Sequence, residues 1–349
     1  PVHSDFYRAH PDWRLAAPYR PEGPYTTVYP LDYRQSEVRD YFMALIREIV
    51  TEYKPDALEL DFMRWPLYFP PDTGREHRAI LTALVRDIRA LCADTLFLTA
   101  RVPVTPGAAL DRGLDAAAWA HAKLVDGLVP TAHFNTAWDI DFHAWRRVAG
   151  DRIQLYAGME SCAYSLDGSY NAVMGLDEQL LRGFAAAGYA KGADGIAIFN
   201  FFCAQAWTGR TPLFSAIGQL GTPAELRGKP KTYGITAAAG YWHLGETDGP
   251  LQVPRLAPTR TPRTFHIGIG DEPPGLPVEV LVVLDKIEDT APARFHLHIN
   301  ETAVGRAPVI RRAPGIPEEK PIRAVVFRAT SNNCRPGDNK IVFRNDGPP

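Results

Sequence analysis

The chain has 349 residues, 46% of them hydrophobic and 22% charged, and carries a formal net charge of -2. That balance argues against a dedicated nucleic-acid surface or a face for anionic membranes, and no run approaches the roughly eighteen apolar residues of a membrane helix. Cys92, Cys162, Cys203 and Cys334 lie far apart with no C-x-x-C pair, which argues against a zinc framework or a disulfide scaffold.

The chain begins at Pro1, so removal of a leader or of a longer preceding segment is expected. No signal peptide is visible, secretion or a periplasmic site is compatible with this reading, and the compartment and oligomeric state stay open. Residues 1–30 are rich in Pro, Tyr, Arg and His and read as an irregular approach, with one helical turn over Asp5–His10 and a β-prone stretch at 26–29. Ser36 is placed to cap a helix with Glu37 in its first turn. Val38, Tyr41, Phe42, Leu45, Ile46, Ile49 and Val50 recur at helical spacing over 37–53, and Lys54-Pro55 stops the helix.

The stretch 57–62 then alternates with period two. Leu58, Leu60 and Phe62 share one face, and Ala57, Glu59 and Asp61 the other. Large apolar groups on one side and two carboxylates on the other suit a barrel strand, with its apolar face against helices and its acidic face inward. Asp61 lies at the C-terminal end, where barrel enzymes carry their chemistry. Arg64, Trp65, Tyr68 and Phe69 follow it.

Helices over 76–91, 115–123, 139–149 and 177–190 alternate with strands over 95–102, 124–131, 152–160 and 195–202. This alternation with short connections predicts a parallel α/β architecture. With 26–29 and 57–62 the strands number six, whereas a closed (β/α)8 barrel of the TIM type needs eight. The missing pair would precede Pro1. A doubly wound open sheet is the rival, disfavoured because no Gly-rich strand-to-helix turn for a nucleotide is present. The barrel domain is expected over 1–228 and a Pro-rich linker over 229–262. A small antiparallel β-sandwich over 263–349 would have strands near 264–269, 278–284, 293–299, 322–328 and 340–343.

In such a barrel the strand ends converge. Asp61, Arg101, His133 with Asn135, Glu160 and Asn200 each end or follow one. Gln154, Tyr156, Gly158 and Glu160 share a face, so Glu160 repeats the logic of Asp61. Two carboxylates at separate strand ends are what glycoside cleavage uses, one to protonate the leaving oxygen and one to attack the sugar or activate water. Glu59, one layer deeper, reads as a structural partner of Arg101. Trp65, Tyr68, Phe69, Trp138 and Trp207 are candidate sugar-stacking faces or core packing. Asn200 shares a face with Ile196 and Ile198 on strict alternation, so it serves a site only where the strand has already ended. No HExxH or clustered ligand pair predicts a metal, the His296-x-His298 pair reads as a solvated strand face, and no GxSxG elbow is present. No cofactor is expected.

The run Leu31-Asp32-Tyr33, Glu37-Val38-Arg39-Asp40-Tyr41, then Leu58-Glu59-Leu60-Asp61-Phe62-Met63-Arg64, with Ala193-Asp194-Gly195-Ile196 through Phe202, resembles bacterial glycoside-hydrolase-like (β/α)8 barrel proteins. The resemblance covers roughly residues 1–228, and Ala57 stands where the family pattern has Gly. It implies a barrel, a carbohydrate substrate and Asp61 as a catalytic carboxylate. The expected function is cleavage of a poly- or oligosaccharide. Asp61 would be nucleophile or base and Glu160 the general acid/base; Arg64, Arg101, His133, Asn135 and Asn200 would bind hydroxyls or a sugar carboxylate, and Trp65 and Trp138 would stack on rings. The alternatives are a non-catalytic carbohydrate-binding barrel, and a lyase or isomerase on the same fold.

Overall fold

The computed structural model describes residues 4–16, 29–63, 66–92, 96–132, 136, 138, 140–160, 162–164, 173–175, 177–203, 213–235, 261–285, 294–305, 308–312 and 322–346. They fall into two compact units, Pro1–Thr131 with His143–Tyr156, and Ala132–Phe142 with Ala157–Pro349.

The first unit opens with α1 (Asp5–Ala9), whose Tyr7 N–H is capped by the Ser4 hydroxyl at 3.2 Å. Helix α2 (Ser36–Glu48) continues as a wider π turn over Ile49–Tyr53 and stops at Lys54, in the left-handed region at φ 49 before Pro55. Ser36 is the first helical residue and not the cap. Asp32 shapes the entry instead, its carboxylate accepting the Arg34 N–H at 2.9 Å and its carbonyl the Gln35 N–H at 3.1 Å. Of the apolar face expected on this helix only Val38 is buried, and Leu45 and Ile49 stay exposed.

Strand β1 (Ala57–Asp61), α3 (Gly74–Cys92), β2 (Phe97–Val102), α4 (Pro106–Asp111), α5 (Ala116–His121), β3 (Gly127–Pro130), α6 (Phe142–Ala149) and β4 (Gln154–Glu160) follow in alternation. The pairs β1–β2, β2–β3 and β3–β4 are parallel, with Glu59 opposite Thr99 and Asp61 opposite Arg101. The face of β1 carrying Leu60 and Phe62 is buried, and Phe62 meets the fully buried Trp119 of α5 at 5.4 Å between ring centroids. At the opposite end of these strands Arg89 donates to the carbonyls of Leu96 and Leu124 and to Asp126 at 2.5 Å, and Asp126 accepts the Leu98 N–H at 2.8 Å. This lattice ties α3 to the strand entries, the end of a parallel sheet where polar residues serve stability.

The second unit holds a short hairpin of β5 (Cys162–Tyr164) and β6 (Val173–Gly175), then α7 (Glu178–Ala190) and β7 (Gly195–Phe199). One sheet runs in the order β1-β2-β3-β4-β7. Five of the six expected parallel-sheet strands are thus present; residues 26–28 of the sixth lie outside the described residues. The eight-stranded closure is not seen among the described residues. Neither the hairpin nor α4 was expected from the sequence.

After α8 (Phe214–Ile217) and α9 (Pro223–Leu226) come β8 (Arg263–Ile269), β9 (Pro277–Asp285), β10 (Phe295–Ile299), β11 (Thr302–Val304), β12 (Val309–Arg312), β13 (Ile322–Thr330) and β14 (Gly337–Asn345). They form two antiparallel sheets in the orders β11-β10-β14-β8 and β12-β13-β9. Phe295, Leu297, Ile299, Ile341 and Phe343 of one sheet and Val325 and Phe327 of the other share a single core. All five expected strands are present, with β11 and β12 in addition.

These sheets are seated on α7 by small residues and a buried polar cluster. A side chain at Gly183 would stand 2.0 Å from the Thr232 carbonyl, and one at Gly270 2.7 Å from the Ala186 methyl; Gly268 lies beneath the Lys191 stem and Ala187. The Lys191 ammonium pairs with Asp338 at 3.2 Å. Glu272 receives the Lys231 ammonium at 2.7 Å, the Tyr233 hydroxyl at 2.8 Å and the Gly228 N–H at 3.1 Å. Burial first, then the Glu272 charge, push the Tyr233 hydroxyl far above the ordinary phenol range, so it remains a donor. Residues 229–235 of the expected linker are therefore pinned, while 236–260 lie outside the described residues.

Gly183→Ala inverts the usual helix rule. Alanine normally gains about 0.5–1 kcal/mol over glycine in a helix, but the Thr232 carbonyl leaves no room, and a loss of about 1–3 kcal/mol is expected. Gly107→Ala, in α4 with nothing within 4 Å of the added carbon, is the control and raises Tm slightly. Thermal unfolding of the two variants checks both signs.

Candidate functional site

In the first unit the site is built at the end of β1. The Arg101 Nη1 lies 3.1 Å from each oxygen of the Asp61 carboxylate. The Met63 N–H donates to Asp61 Oδ1 at 2.9 Å, a local turn that ends the strand and fixes the carboxylate. The two partners differ in access: 2% of the Arg101 side chain is exposed against 32% for Asp61. A buried cation thus holds an anion at the rim, and the carboxylate is both oriented and reachable.

Tyr68 and Phe69 take the core-packing alternative. Both are buried, and the Tyr68 hydroxyl donates to the Phe62 carbonyl while its own carbonyl accepts the Tyr33 N–H at 2.9 Å. Phe69 lies over Gly113, where a side chain would meet its ring at 2.6 Å. They pack beneath the strand end and offer no platform for a ring. Arg64 and Trp65 lie outside the described residues, as do His133, Asn135 and Trp207.

Glu59 also departs from expectation, because Arg101 pairs with Asp61 instead. The Glu59 carboxyl reaches solvent, yet protein crowds it. Desolvation raises its pKa, with Arg101 lowering and Asp61 raising it to lesser degrees. Gly127 of β3 leaves space that the Tyr156 ring and the Thr99 methyl both approach, at 3.0 and 3.1 Å from where a side chain would begin.

In the second unit Glu160 ends β4 with no exposure, and its backbone carbonyl accepts the Thr136 hydroxyl at 3.0 Å. Trp138 is half-buried, edge-on to Phe184 of α7 at 5.6 Å between centroids, and Gly234 lies against its indole. Asn200 follows the last residue of β7 in the left-handed region, at φ 55. The strand has ended before it, and alternation no longer assigns its side chain to the face of Ile196 and Ile198. The next turn presents Phe202, 77% exposed. In the sequence its exposure is hidden, because the apolar residues on both sides of Asn200 look like one buried strand.

Among the described residues no group of three or more His, Cys, Asp or Glu is placed to hold a metal, and His296 of the H-x-H pair faces Asp346 at 2.9 Å. Burial raises the thiol pKa of both Cys92 and Cys334, which disfavours thiolate chemistry at either. No helix among the described residues is long and apolar enough to cross a membrane.

No family model matches the chain, and no curated protein does. Solved structures with partial similarity are carbohydrate-active enzymes. The spore cortex-lytic enzyme SleL of Bacillus cereus shows 14% identity over 37% of this chain and 31% of its own, with a TM-score of 0.27. A chitinase of Rhizomucor miehei shows 16% identity over 48% of this chain and 70% of its own, at 0.37. A family-36 α-galactosidase variant of Geobacillus stearothermophilus, in complex with raffinose, shows 13% identity over 94% of this chain and 42% of its own, at 0.36. The chain thus spans about a third of SleL and well under half of the galactosidase. At these scores the likeness carries neither an activity nor a closed barrel to this chain.

The unequal access of Asp61 and Arg101 sets an order of damage. Asp61→Leu removes the carboxylate facing a buried guanidinium and is expected to lose about 3–5 kcal/mol. Arg101→Met leaves a carboxylate that water can reach and loses less, about 1–3 kcal/mol. Urea unfolding of both variants checks the order. Glu59 predicts a pH effect of definite sign. Its raised pKa means the folded state disfavours the ionised form, so its contribution is full below the ordinary carboxylate range and is lost as pH rises through the raised value. Glu59→Gln should therefore gain stability relative to the parent between pH 4 and pH 7, measured by chemical denaturation at each pH.

Proposed function

We propose that the chain is a glycoside hydrolase of the (β/α)8 barrel type acting on a poly- or oligosaccharide, with Asp61 as its central carboxylate. The observation that carries this reading is the Asp61–Arg101 pair at the C-terminal end of β1, a fixed and solvent-reachable anion where parallel α/β sheets hold their chemistry. Asp61 would stabilise the positive charge that develops at the anomeric carbon or bond to it. Arg101 would act as a positioning residue for Asp61. Asn200, in the left-handed region after β7, is a proposed hydroxyl contact. Arg64, Trp65, His133 and Asn135 complete the proposed sugar contacts. The domain reading places catalysis in 1–228 and a bracing role in the C-terminal sheets.

A second reading, a barrel that binds carbohydrate without cleaving it, is favoured by one observation: Glu160, the carboxyl assigned to proton transfer, is completely buried.

Reducing-sugar release from a panel of plant, fungal and bacterial glycans separates the two. The parent is expected to release sugar from at least one. Asp61→Asn, which keeps an oxygen for Arg101, should lower kcat at least a thousandfold with an unchanged circular dichroism spectrum. Near-parent activity in that variant would remove Asp61 from the mechanism. Calorimetric binding of a glycan that the parent never cleaves would establish the second reading.

A further inference from the structure

We propose that Glu59 is the proton-donating carboxyl of this site, so that a single strand supplies both acidic groups, an assignment that rests on the glycoside-hydrolase reading above. Glu59 and Asp61 are successive residues on one face of β1, the face opposite the buried Leu60 and Phe62. Same-face neighbours on a strand stand about 6.5–7 Å apart. That is the order of separation at which two carboxyl groups flank a glycosidic bond, about 5–10 Å.

Their surroundings divide the labour. Arg101 and the Met63 N–H both donate to Asp61. Glu59 sits opposite Thr99, whose hydroxyl-bearing side chain carries no charge to hold a carboxylate ionised. The charged groups that bear on Glu59 are Arg101 of β2 and Asp61 of its own strand, and they act in opposite senses; crowding by protein outweighs both and favours the protonated form. The Tyr156 ring of β4 and the Thr99 methyl both come close to Gly127 of β3. A carboxyl crowded toward its protonated form beside one paired with a guanidinium is the usual arrangement of an acid beside an anion. Both reach solvent, whereas Glu160 does not.

In the step this assigns, the C1–O bond of the glycoside breaks and its electron pair passes to the leaving oxygen, which takes the proton of Glu59. Asp61 faces the positive anomeric carbon. A water then bonds to that carbon through its oxygen and returns a proton to Glu59, so the net change is addition of one water across the bond.

The test uses the full chain. In protein labelled with carboxyl-13C glutamate, the Glu59 resonance, assigned by its loss in Glu59→Gln, should titrate above the ordinary glutamate range. In Asp61→Asn it should titrate lower than in the parent, because a neighbouring negative charge is gone. Titration at or below the ordinary value in the parent overturns the proposal. Kinetics use the glycan that the parent cleaves and the 2,4-dinitrophenyl glycoside of the same sugar, whose leaving group needs no proton. Glu59→Gln should lose at least a hundredfold on the glycan and less than tenfold on the dinitrophenyl glycoside, and the alkaline limb of kcat/KM should vanish. Equal loss on both substrates, or none on either, overturns the role of Glu59 and leaves the glycosidase reading standing. A parent that cleaves nothing overturns that reading, and the donor role with it.

Discussion

The placement of one buried guanidinium organises the strand ends of the first unit. Arg101 is nearly sealed from water, and burying a cation is tolerable only when a counter-charge and hydrogen-bond acceptors meet it. Asp61 supplies both acceptors from the adjacent strand, in direct register. The register is itself held from the far end of the sheet, where Arg89 and Asp126 bind α3 to the strand entries. A slip of one residue between β1 and β2 would turn Asp61 onto the apolar face and part it from Arg101. The pair therefore reports on strand alignment as much as on reactivity.

The second unit solves a different problem, the seating of two antiparallel sheets on a helix. Small residues do most of it. Gly183, Ala186 and Ala187 leave one face of α7 nearly smooth, and Gly268 and Gly270 leave the facing segment smooth in turn. Backbone meets backbone at distances that any larger side chain would forbid. Smooth surfaces slide, and the polar contacts of Lys231, Tyr233 and Gly228 with Glu272, with that of Lys191 with Asp338, give the seat a defined position.

Period-two alternation in 57–62 and in Phe295–Ile299 was legible because each strand buries one face and exposes the other. The end of α2 was legible in Lys54-Pro55, since proline restricts the residue before it. The beginning was not: Ser36 has the chemistry of a cap, but Asp32 had already turned the chain. Tyr68 and Phe69 could not be told from sugar platforms, because an aromatic side chain has the same composition whether its partner is a ring or a backbone carbonyl. Asn200 was misjudged by alternation, which has no term for a left-handed residue at a strand end. Glu59 was paired with the right arginine by proximity, yet two carboxylates competed for that arginine, and only the register of β1 with β2 decides which one receives it.

The glycine contacts under β8 have a consequence for how such a chain can diversify. A sheet module joined by an ordinary linker can be exchanged between proteins by recombination at the linker. Here a crossover near residue 262 would deliver strands shaped for the glycines and alanines of α7 to a helix that lacks them. The heritable cassette is the longer piece that carries helix and sheets together, and the two must drift in concert, each substitution on α7 answered by one on β8.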